Sequence, residues 1–307
     1  MPENRIQGMT TSRRSLISRG ALIGGAAAAV SLPSLHAMAQ DATSDSLLGR
    51  ILDRGKIVVG TGSTNPPWHF EDENGQLVGF DISLAMLLAG GIFGLDQQQI
   101  LDGEEPRNYI DFVVHEADAR IPDLLADKVD INFQFMTVTP ARALQVAFTV
   151  PYYREGVTVI LPSDSEFNSL AEMQDQGLTI AILANVTAED MVRRGIPDAN
   201  VEQFDSVAAS VEALDSGRVD ATAIDMSTGR WMVAQDPDAY KTVPEGWDAQ
   251  SYAASIKPGD QVFLNFVDTA LMQAMVGLDF PIYQAAFKTY FGEDLPNPPI
   301  GFPVEFA

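Results

Sequence analysis

Residues 124–135 read LLADKVDINFQF, and residues 213–224 read ALDSGRVDATAI. In both stretches the pattern predicts the end of a helix, a turn with a basic residue, a Val-Asp pair and a short buried strand. The same helix-turn-strand unit therefore occurs twice, about 90 residues apart. Such repetition is typical of two α/β units built to one plan.

The ends of these two strands are where a ligand is expected, because open α/β sheets bind ligands beyond the carboxyl ends of their strands. After the first strand, Thr139 suits a helix N-cap and Pro140 the first helical position, which puts Arg142 in the first turn. A cation is unfavourable there unless an anion is also present, so the pattern favours a carboxylate site. A surface arginine beside an acidic residue is the alternative. After the second strand, Asp225 either caps the next helix or accepts an ammonium group.

The segment after the first predicted strand does not fit a nucleotide site. Gly60 and Gly62 begin a dinucleotide-type glycine pattern, but Asn65 stands in place of the third glycine and two prolines follow it. Those prolines exclude the helix that would receive a pyrophosphate. Further on, the Asn-Gly pair at residues 74–75 predicts a hairpin turn, and Asp81 is expected to cap the next helix.

Composition excludes several classes of function. The 307 residues exceed the usual size of one domain, so two are expected. With 19 basic and 42 acidic residues, the net charge of −23 disfavours nucleic acid and anionic membrane surfaces as partners. The absence of cysteine excludes disulfides and thiolate metal sites, and three histidines leave little material for zinc ligation. We expect neither a metal nor a cofactor.

The first 39 residues follow the order of a signal peptide. An arginine pair, Arg13-Arg14, precedes a weakly apolar run at residues 21–32 and the small residues that end at Ala39. The run is shorter than the roughly 20 residues that span a membrane. The sequence therefore predicts twin-arginine-type export, cleavage near Ala39 and a periplasmic location.

The chain from residue 46 to 295 resembles the periplasmic solute-binding proteins of polar amino acid ABC transporters, the bacterial extracellular solute-binding proteins of family 3. The resemblance rests on the joint order of short motifs, each of which is weak by itself. They are Val58-Val59-Gly60, Pro66-Pro67-Trp68, the run from Asn74 to Asp81, Arg120-Ile121-Pro122, Lys128-Val129-Asp130, the run from Thr137 to Arg142, the run from Phe148 to Tyr153, the run from Ser216 to Ala221, and Tyr290-Phe291-Gly292.

The resemblance implies an α/β, two-lobe periplasmic-binding-protein type II fold with two hinge crossings. Lobe 1 would comprise residues 46–153 and 254–307, and lobe 2 residues 154–253. In this family the arginine at the position of Arg142 holds the ligand α-carboxylate, with help from the threonine at Thr137. The aspartate at the position of Asp225 receives the α-ammonium group. A buried zwitterion needs both charges paired, which agrees with the residue pattern.

Several positions depart from the family pattern. Asn65 stands where an aromatic residue often stacks on the ligand, and Trp68 either compensates or only packs. Phe135 replaces a usual glycine at the pocket edge. In the second lobe, residues 184–187 lack one hydroxyl contact, although Thr187 can still cap a helix. Arg120 matches an arginine of the glutamate/aspartate-binding branch, but that branch's other arginine position is Gly62. The absence of this second arginine weakens the case for an acidic amino acid as the ligand. Phe135 favours a ligand with a less polar side chain.

The leading interpretation is a non-catalytic, monomeric receptor that delivers an amino acid to an inner-membrane ABC permease. A cyclohexadienyl-dehydratase-like enzyme on the same scaffold is one alternative. It would need a general acid or base in the cleft, and the candidates are His69, His115, Glu116 and Asp118. A sensor or accessory binding protein is the other alternative.

Overall fold

The computed structural model describes residues 45–184 and 188–301. The expected signal peptide and Thr187 lie outside these residues. The helices are α1 (Leu47–Arg54), α2 (Phe80–Phe93), α3 (Gln97–Asp102), α4 (Arg120–Leu125), α5 (Pro140–Ala143), α6 (Ala188–Gly195), α7 (Val207–Asp215), α8 (Met226–Gln235), α9 (Gln261–Val276) and α10 (Phe280–Phe291), with a 3-10 helix at Glu105–Tyr109. The strands are β1 (Ile57–Thr61), β2 (Thr64–Asn65), β3 (His69–Glu71), β4 (Leu77–Val78), β5 (Ile110–Val114), β6 (Ile131–Thr137), β7 (Ala147–Phe148), β8 (Tyr153–Pro162), β9 (Thr179–Leu183), β10 (Asn200–Phe204), β11 (Ala221–Asp225), β12 (Tyr240–Thr242) and β13 (Trp247–Ile256).

Ten strands form one mixed sheet in the order β10-β9-β11-β8-β13-β6-β1-β5, with β12 and β7 attached to β8 and β13. Strands β8 and β13 have ten residues each and pair antiparallel with each other. Their outer neighbours are β11 and β6, which belong to the two repeated units. The β8–β13 pair therefore joins the two halves of the sheet. Strands β2, β3 and β4 form a separate small sheet.

The two repeated units have the predicted structure. Helix α4 leads through a turn into β6, and α7 leads through a turn into β11. The aspartate of the Val-Asp pair makes an equivalent hydrogen bond in each unit. Asp130 accepts a hydrogen bond from the backbone N–H of Val58 at 2.7 Å, and Asp220 accepts one from Thr179 at 2.7 Å. Each aspartate thus fastens its turn to the start of a neighbouring strand.

The hairpin prediction is confirmed, but the expected role of Asp81 is wrong. Strands β3 and β4 pair antiparallel across the turn that contains Gly75, whose φ of 73° suits glycine. Helix α2 begins at Phe80 with Gly79 as its N-cap, so Asp81 lies within the first turn and does not cap it. Its carboxylate instead contacts His69 Nδ1 at 3.0 Å and accepts a hydrogen bond from Tyr152 at 2.7 Å. All three side chains are buried.

The hydrophobic core falls into separate clusters on the two sides of the β8–β13 pair. The largest cluster takes its buried side chains from residues 48–153 and 252–291. Two others take theirs from residues 157–243. Among the described residues, no single helix is long and apolar enough to cross a membrane; α9 and α10 reach that length only as a pair bent by 71°.

Candidate functional site

One face of the sheet carries most of the candidate site. In the strand register, Tyr252 lies opposite both Thr137 and Tyr153, and Asp225 lies opposite Val157. Directly paired residues project to the same side of a sheet, and so do residues two apart on one strand. The side chains of these five residues therefore share one face. The sequence-predicted Thr137 and Asp225 reach that face from strands on opposite sides of the β8–β13 pair.

A small cavity of about 140 Å³ lies at the basic end of this face. The sequence-predicted residues Asn65, Arg120, Phe135, Thr137 and Arg142 all line it. Arg142 follows the Thr139 cap as predicted, and its Nη1 donates to the backbone carbonyl of Thr137 at 2.8 Å. Arg120 donates through its own Nη1 to the carbonyl of Gln134 at 3.0 Å. Both guanidinium groups are thus fixed to β6.

The two arginines line a cavity whose one acidic residue among the described lining is Glu116. Neither Arg120 nor Arg142 makes an ion pair with any residue in the part of the chain that the structure describes. Burial lowers the pKa of Arg120, and the nearby charge of Arg142 lowers it further. In a chain with a net charge of −23, two unpaired guanidinium groups in one cavity indicate an anion site.

Helix α5 differs from the expected helix, because it covers only Pro140–Ala143. A single turn aligns few peptide dipoles, so its N-terminus contributes little to anion binding. The anion site therefore depends on the guanidinium groups and not on the helix. Thr139 still caps the turn, since its hydroxyl accepts a hydrogen bond from the Arg142 backbone N–H at 3.3 Å.

The other end of the face is acidic. Asp225 occupies the N-cap position of α8, but its side chain makes no capping hydrogen bond, so the carboxylate is left for another partner. Burial raises the pKa of Asp225 to about 6. Glu155 lies on the same face of β8, and its Oε2 accepts a hydrogen bond from the Ser227 backbone N–H at 2.7 Å. Burial, and next the charge of Asp225, raise the pKa of Glu155 to about 7.

Glu155 was not predicted from the sequence. A signal was available, because it is a charged residue two positions before a β-branched apolar run, on the side that Val157 and Val159 place inward. Its partner Ser227 comes from a helix 72 positions away, which local patterns do not reveal.

A larger cavity of about 620 Å³ adjoins Asp225. Asn65 and Phe135 line both cavities, so the two spaces meet at these residues. The wall beyond Asp225 is mainly apolar, and Asp225 is the one charged side chain among the described lining residues. The lining consists of Thr64, Asn65, Pro66, Trp68, Phe135, Val157, Ile182, Leu183, Met191, Val207, Ala208, Ala223, Ile224, Asp225 and Thr228.

Trp68 both packs and lines the larger cavity. Its indole is only 2% exposed and stacks on Phe135 with the ring centroids 5.5 Å apart. Its Nε1 donates to Ser227 Oγ at 3.1 Å. Phe135 has a φ of 33°, a region that favours glycine, so the aromatic ring occupies a strained backbone position. Asn65 is exposed at the rim of the cavities.

The candidate acid and base residues differ in whether they line a cavity. His69 is fully buried beside Asp81, outside both cavities. His115 and Glu116 line the basic cavity, and Asp118 is exposed. Within residues 45–184 and 188–301, no group of three or more His, Cys, Asp or Glu side chains could hold a metal ion.

Position 62, where the glutamate/aspartate branch has its other arginine, has no room for a side chain in this structure. A Cβ atom at Gly62 would lie 2.6 Å from the His69 ring. A larger residue would thus displace a buried histidine. Gly60 is similarly close to His115 and Asn132, so these glycines serve packing and not a phosphate loop.

Comparisons with known proteins identify the family. The glutamine-binding protein of Geobacillus stearothermophilus is 29% identical over 212 residues, covering 67% of this chain and 74% of that protein. The cyclohexadienyl dehydratase of Pseudomonas aeruginosa is 24% identical over 237 residues, covering 76% and 83%. The solved structure of an ancestral cationic amino acid solute binding protein matches with a TM-score of 0.66 and 28% identity, covering 80% of this chain and 100% of that one.

These matches confirm the mixed α/β, two-lobe type of fold expected from the sequence. The family model for bacterial extracellular solute-binding proteins, family 3, matches residues 57–293. That span contains the whole sheet and both candidate cavities. The chain therefore belongs to the bacterial extracellular solute-binding proteins of family 3.

Proposed function

We propose that this protein captures an α-amino acid between two lobes and delivers it to an ABC importer. The observation that carries the proposal is the separation of unpaired charges. Arg120 and Arg142 line the cavity at one end of the site, where Glu116 is the acidic lining residue, and neither arginine makes an ion pair among the described residues. Asp225 lines the cavity at the other end with buried Glu155 as its neighbour in the sheet, and neither carboxylate makes an ion pair within the described ranges. A zwitterion complements both ends, because its carboxylate and ammonium groups must each be paired once water is excluded.

In this proposal Arg142 and Thr137 hold the α-carboxylate, and Asp225 receives the α-ammonium group. Arg120 reinforces the positive end, although two of its donors already serve the carbonyls of Ala117 and Gln134. Asn65 forms the rim. Thr187 remains a candidate contact from the sequence alone.

The larger cavity supports an apolar or uncharged ligand side chain. Its described lining beyond Asp225 offers aliphatic groups, and apolar contacts favour a side chain that has no charge to lose from water. An acidic side chain would lie near Asp225 and Glu155 and be repelled. The packing of Gly62 against His69 removes the position of a second arginine that could offset this.

The lobe boundaries belong to the same proposal. Lobe 1 comprises residues 46–153 and 254–307, and lobe 2 residues 154–253, with crossings near Tyr152-Tyr153 and Ser251-Tyr252. The separate core clusters on either side of the β8–β13 pair support this division. We also propose that residues 1–39 direct export, that the mature protein is a periplasmic monomer, and that an inner-membrane permease is its partner. The family's extracellular class supports the location.

A dehydratase activity is the second candidate function. One relative is a cyclohexadienyl dehydratase, and Glu155 supplies what such chemistry needs, a buried carboxyl group with a pKa near 7 that can act as a general acid. Incubation with prephenate or arogenate, followed by detection of an aromatic product, tests it. The receptor is the preferred function because two of the three similar proteins described above are amino acid binding proteins, and one is a dehydratase.

A thermal-shift screen over the twenty L-amino acids tests the proposed function. A ligand that binds only the folded state raises the melting temperature by mass action. We expect a shift with apolar or uncharged amino acids and a smaller shift with glutamate or aspartate. If no amino acid stabilises the protein while a sugar or a dicarboxylate does, the amino acid assignment is wrong.

A further inference from the structure

The structure places Glu155 beside Asp225, and the sequence analysis did not include Glu155 among the site residues. Asp225 pairs with Val157, so Glu155 is its diagonal neighbour on the same sheet face. Such neighbours lie about 7–8 Å apart at the backbone. Glu155 is only 4% exposed, and its Oε1 is a buried atom without a hydrogen-bond partner in the described part of the chain. A buried, partly unsatisfied carboxylate thus lies next to Asp225 on this sheet face, just outside the set of residues that line the larger cavity.

No cation within the described ranges compensates this pair. The groups that act on Glu155 are Asp225 from β11, the hydroxyls of Tyr153 and Tyr252, and the backbone N–H and side chain of Ser227. Arg230 of α8 is nearby, but it binds the Tyr153 hydroxyl at 3.2 Å and Glu293 at 3.1 Å. The Tyr252 hydroxyl and the Ser227 N–H stabilise the ionised form of Glu155 only in part, because burial and Asp225 act more strongly.

We propose that Glu155 and Asp225 together form a two-carboxylate receptor for the ligand's ammonium group, and that ligand capture expels the proton which the two carboxylates otherwise share. This inference rests on the proposed function, because it takes an α-amino acid as the ligand. Two buried carboxylates repel each other, so one proton between them lowers their energy while the site lacks a cation. The arriving ammonium group supplies the positive charge, and the displaced proton passes to the solvent.

The size of the effect follows from the pKa values. With values of about 7 for Glu155 and about 6 for Asp225, the pair holds about one proton at pH 6.5. Binding should release that proton, and affinity should fall roughly 20-fold between pH 8 and pH 6. The ligand keeps its own ammonium proton over this range, because its carboxylate stabilises the cation.

Titration calorimetry of the exported protein tests the inference. The probe is whichever of the twenty L-amino acids raises the melting temperature most, titrated at pH 6.5 in phosphate and in imidazole buffer. These buffers differ in ionisation enthalpy, so proton release appears as a buffer-dependent heat. We expect the wild type and the Glu166→Gln control, altered at an exposed carboxylate, to release about one proton.

The Glu155→Gln variant should still bind, because Asp225 remains and the amide can accept the Ser227 hydrogen bond. Its proton release at pH 6.5 should fall to about a quarter of a proton, and its affinity should fall only about twofold from pH 8 to pH 6, because Asp225 with its pKa of about 6 remains. Binding without buffer-dependent heat in the wild type, or equal proton release in Glu155→Gln, overturns the inference alone. Absence of binding with every amino acid at pH 8 overturns the proposed function as well. If Glu155→Gln does not fold, the wild type is titrated instead with the 2-hydroxy analogue of the probe, which lacks the ammonium group. Binding of this analogue should release no proton. A proton release equal to that of the amino acid would contradict the inference.

Discussion

The indole of Trp68 donates a hydrogen bond to the hydroxyl of Ser227 at 3.1 Å, although the two residues are 159 positions apart. Trp68 belongs to the largest core cluster, and Ser227 lies in the first turn of α8 on the other side of the β8–β13 pair. Both residues are buried, at 2% and 0% exposure. The bond therefore ties the two proposed lobes together next to the candidate site.

Ser227→Ala should destabilise the protein, because it leaves a buried indole N–H without an acceptor. The expected cost is about 1–3 kcal/mol, measured by denaturant unfolding. The Trp68→Phe variant supplies the matched control, since it removes the donor. The double variant should be no less stable than Trp68→Phe alone. Fully additive losses would show that the hydrogen bond contributes nothing.

Arg142→Ala should weaken amino acid binding by roughly 30-fold to a few thousand-fold, since truncating one member of a buried charge pair costs about 2–5 kcal/mol. The melting temperature of the ligand-free protein should change little. Arg218→Ala is the control, because that arginine is exposed and bound to Glu202 on the surface. Titration calorimetry that finds equal affinities for the two variants would remove Arg142 from the site.

Asp225→Asn should discriminate against the ammonium group in particular. The change is nearly isosteric but withdraws one negative charge from the acidic end, so an amino acid should lose more affinity than its 2-hydroxy analogue. Competition assays with both ligands give the ratio. Equal losses would contradict the role of ammonium acceptor.

Ala208→Asp places a charge at the larger cavity without disturbing the fold. The residue lies in the first turn of α7, where an acidic side chain is favourable. We expect binding of leucine or phenylalanine to fall by about 10-fold or more, because a carboxylate near an apolar group loses water. Ala209→Asp lies in the same turn outside the cavity lining and should bind normally. Unchanged affinity in Ala208→Asp would place the ligand side chain elsewhere.

The raised pKa of Glu155 also predicts how ligand-free stability depends on pH. The folded state holds this proton to about pH 7, whereas the unfolded chain loses it near 4.5, so stability should fall as pH rises between these values. The shift corresponds to on the order of 3 kcal/mol above pH 7. Glu155→Gln should therefore be more stable than the wild type at pH 8 and similar at pH 4.5, as urea unfolding would measure. A gain of equal size at both pH values would point to packing.

Local signals in the sequence were sufficient where the structure depends on neighbours in the chain. The Thr139 cap, the turn at Gly75 and the repeated helix-turn-strand units are such cases. The same signals were insufficient for buried charges. Asp81 looked like a helix cap, but its partner Tyr152 lies 71 positions away.

The acidic end of the site shows the same limit. Asp225 was predicted because it follows a strand, but its neighbour Glu155 is brought close only by the pairing of β8 with β11. Whether a charged residue in a strand faces solvent or a site depends on that register, which the sequence pattern does not fix. Phe135 was recognised as an unusual residue at the pocket edge, but its stacking on Trp68 required the assembled structure.

The pairing of β8 with β13 has a mechanical consequence. These two strands join the halves of the sheet, and they also carry Tyr153, Glu155 and Tyr252 on the sheet face of the candidate site. A partner that forced the two halves apart would therefore also move these side chains of the candidate site, without entering either cavity. In the proposed receptor, the same residues would then determine both the affinity for the ligand and its rate of release. A substitution that raises the affinity should therefore also slow the transfer of the ligand to the permease.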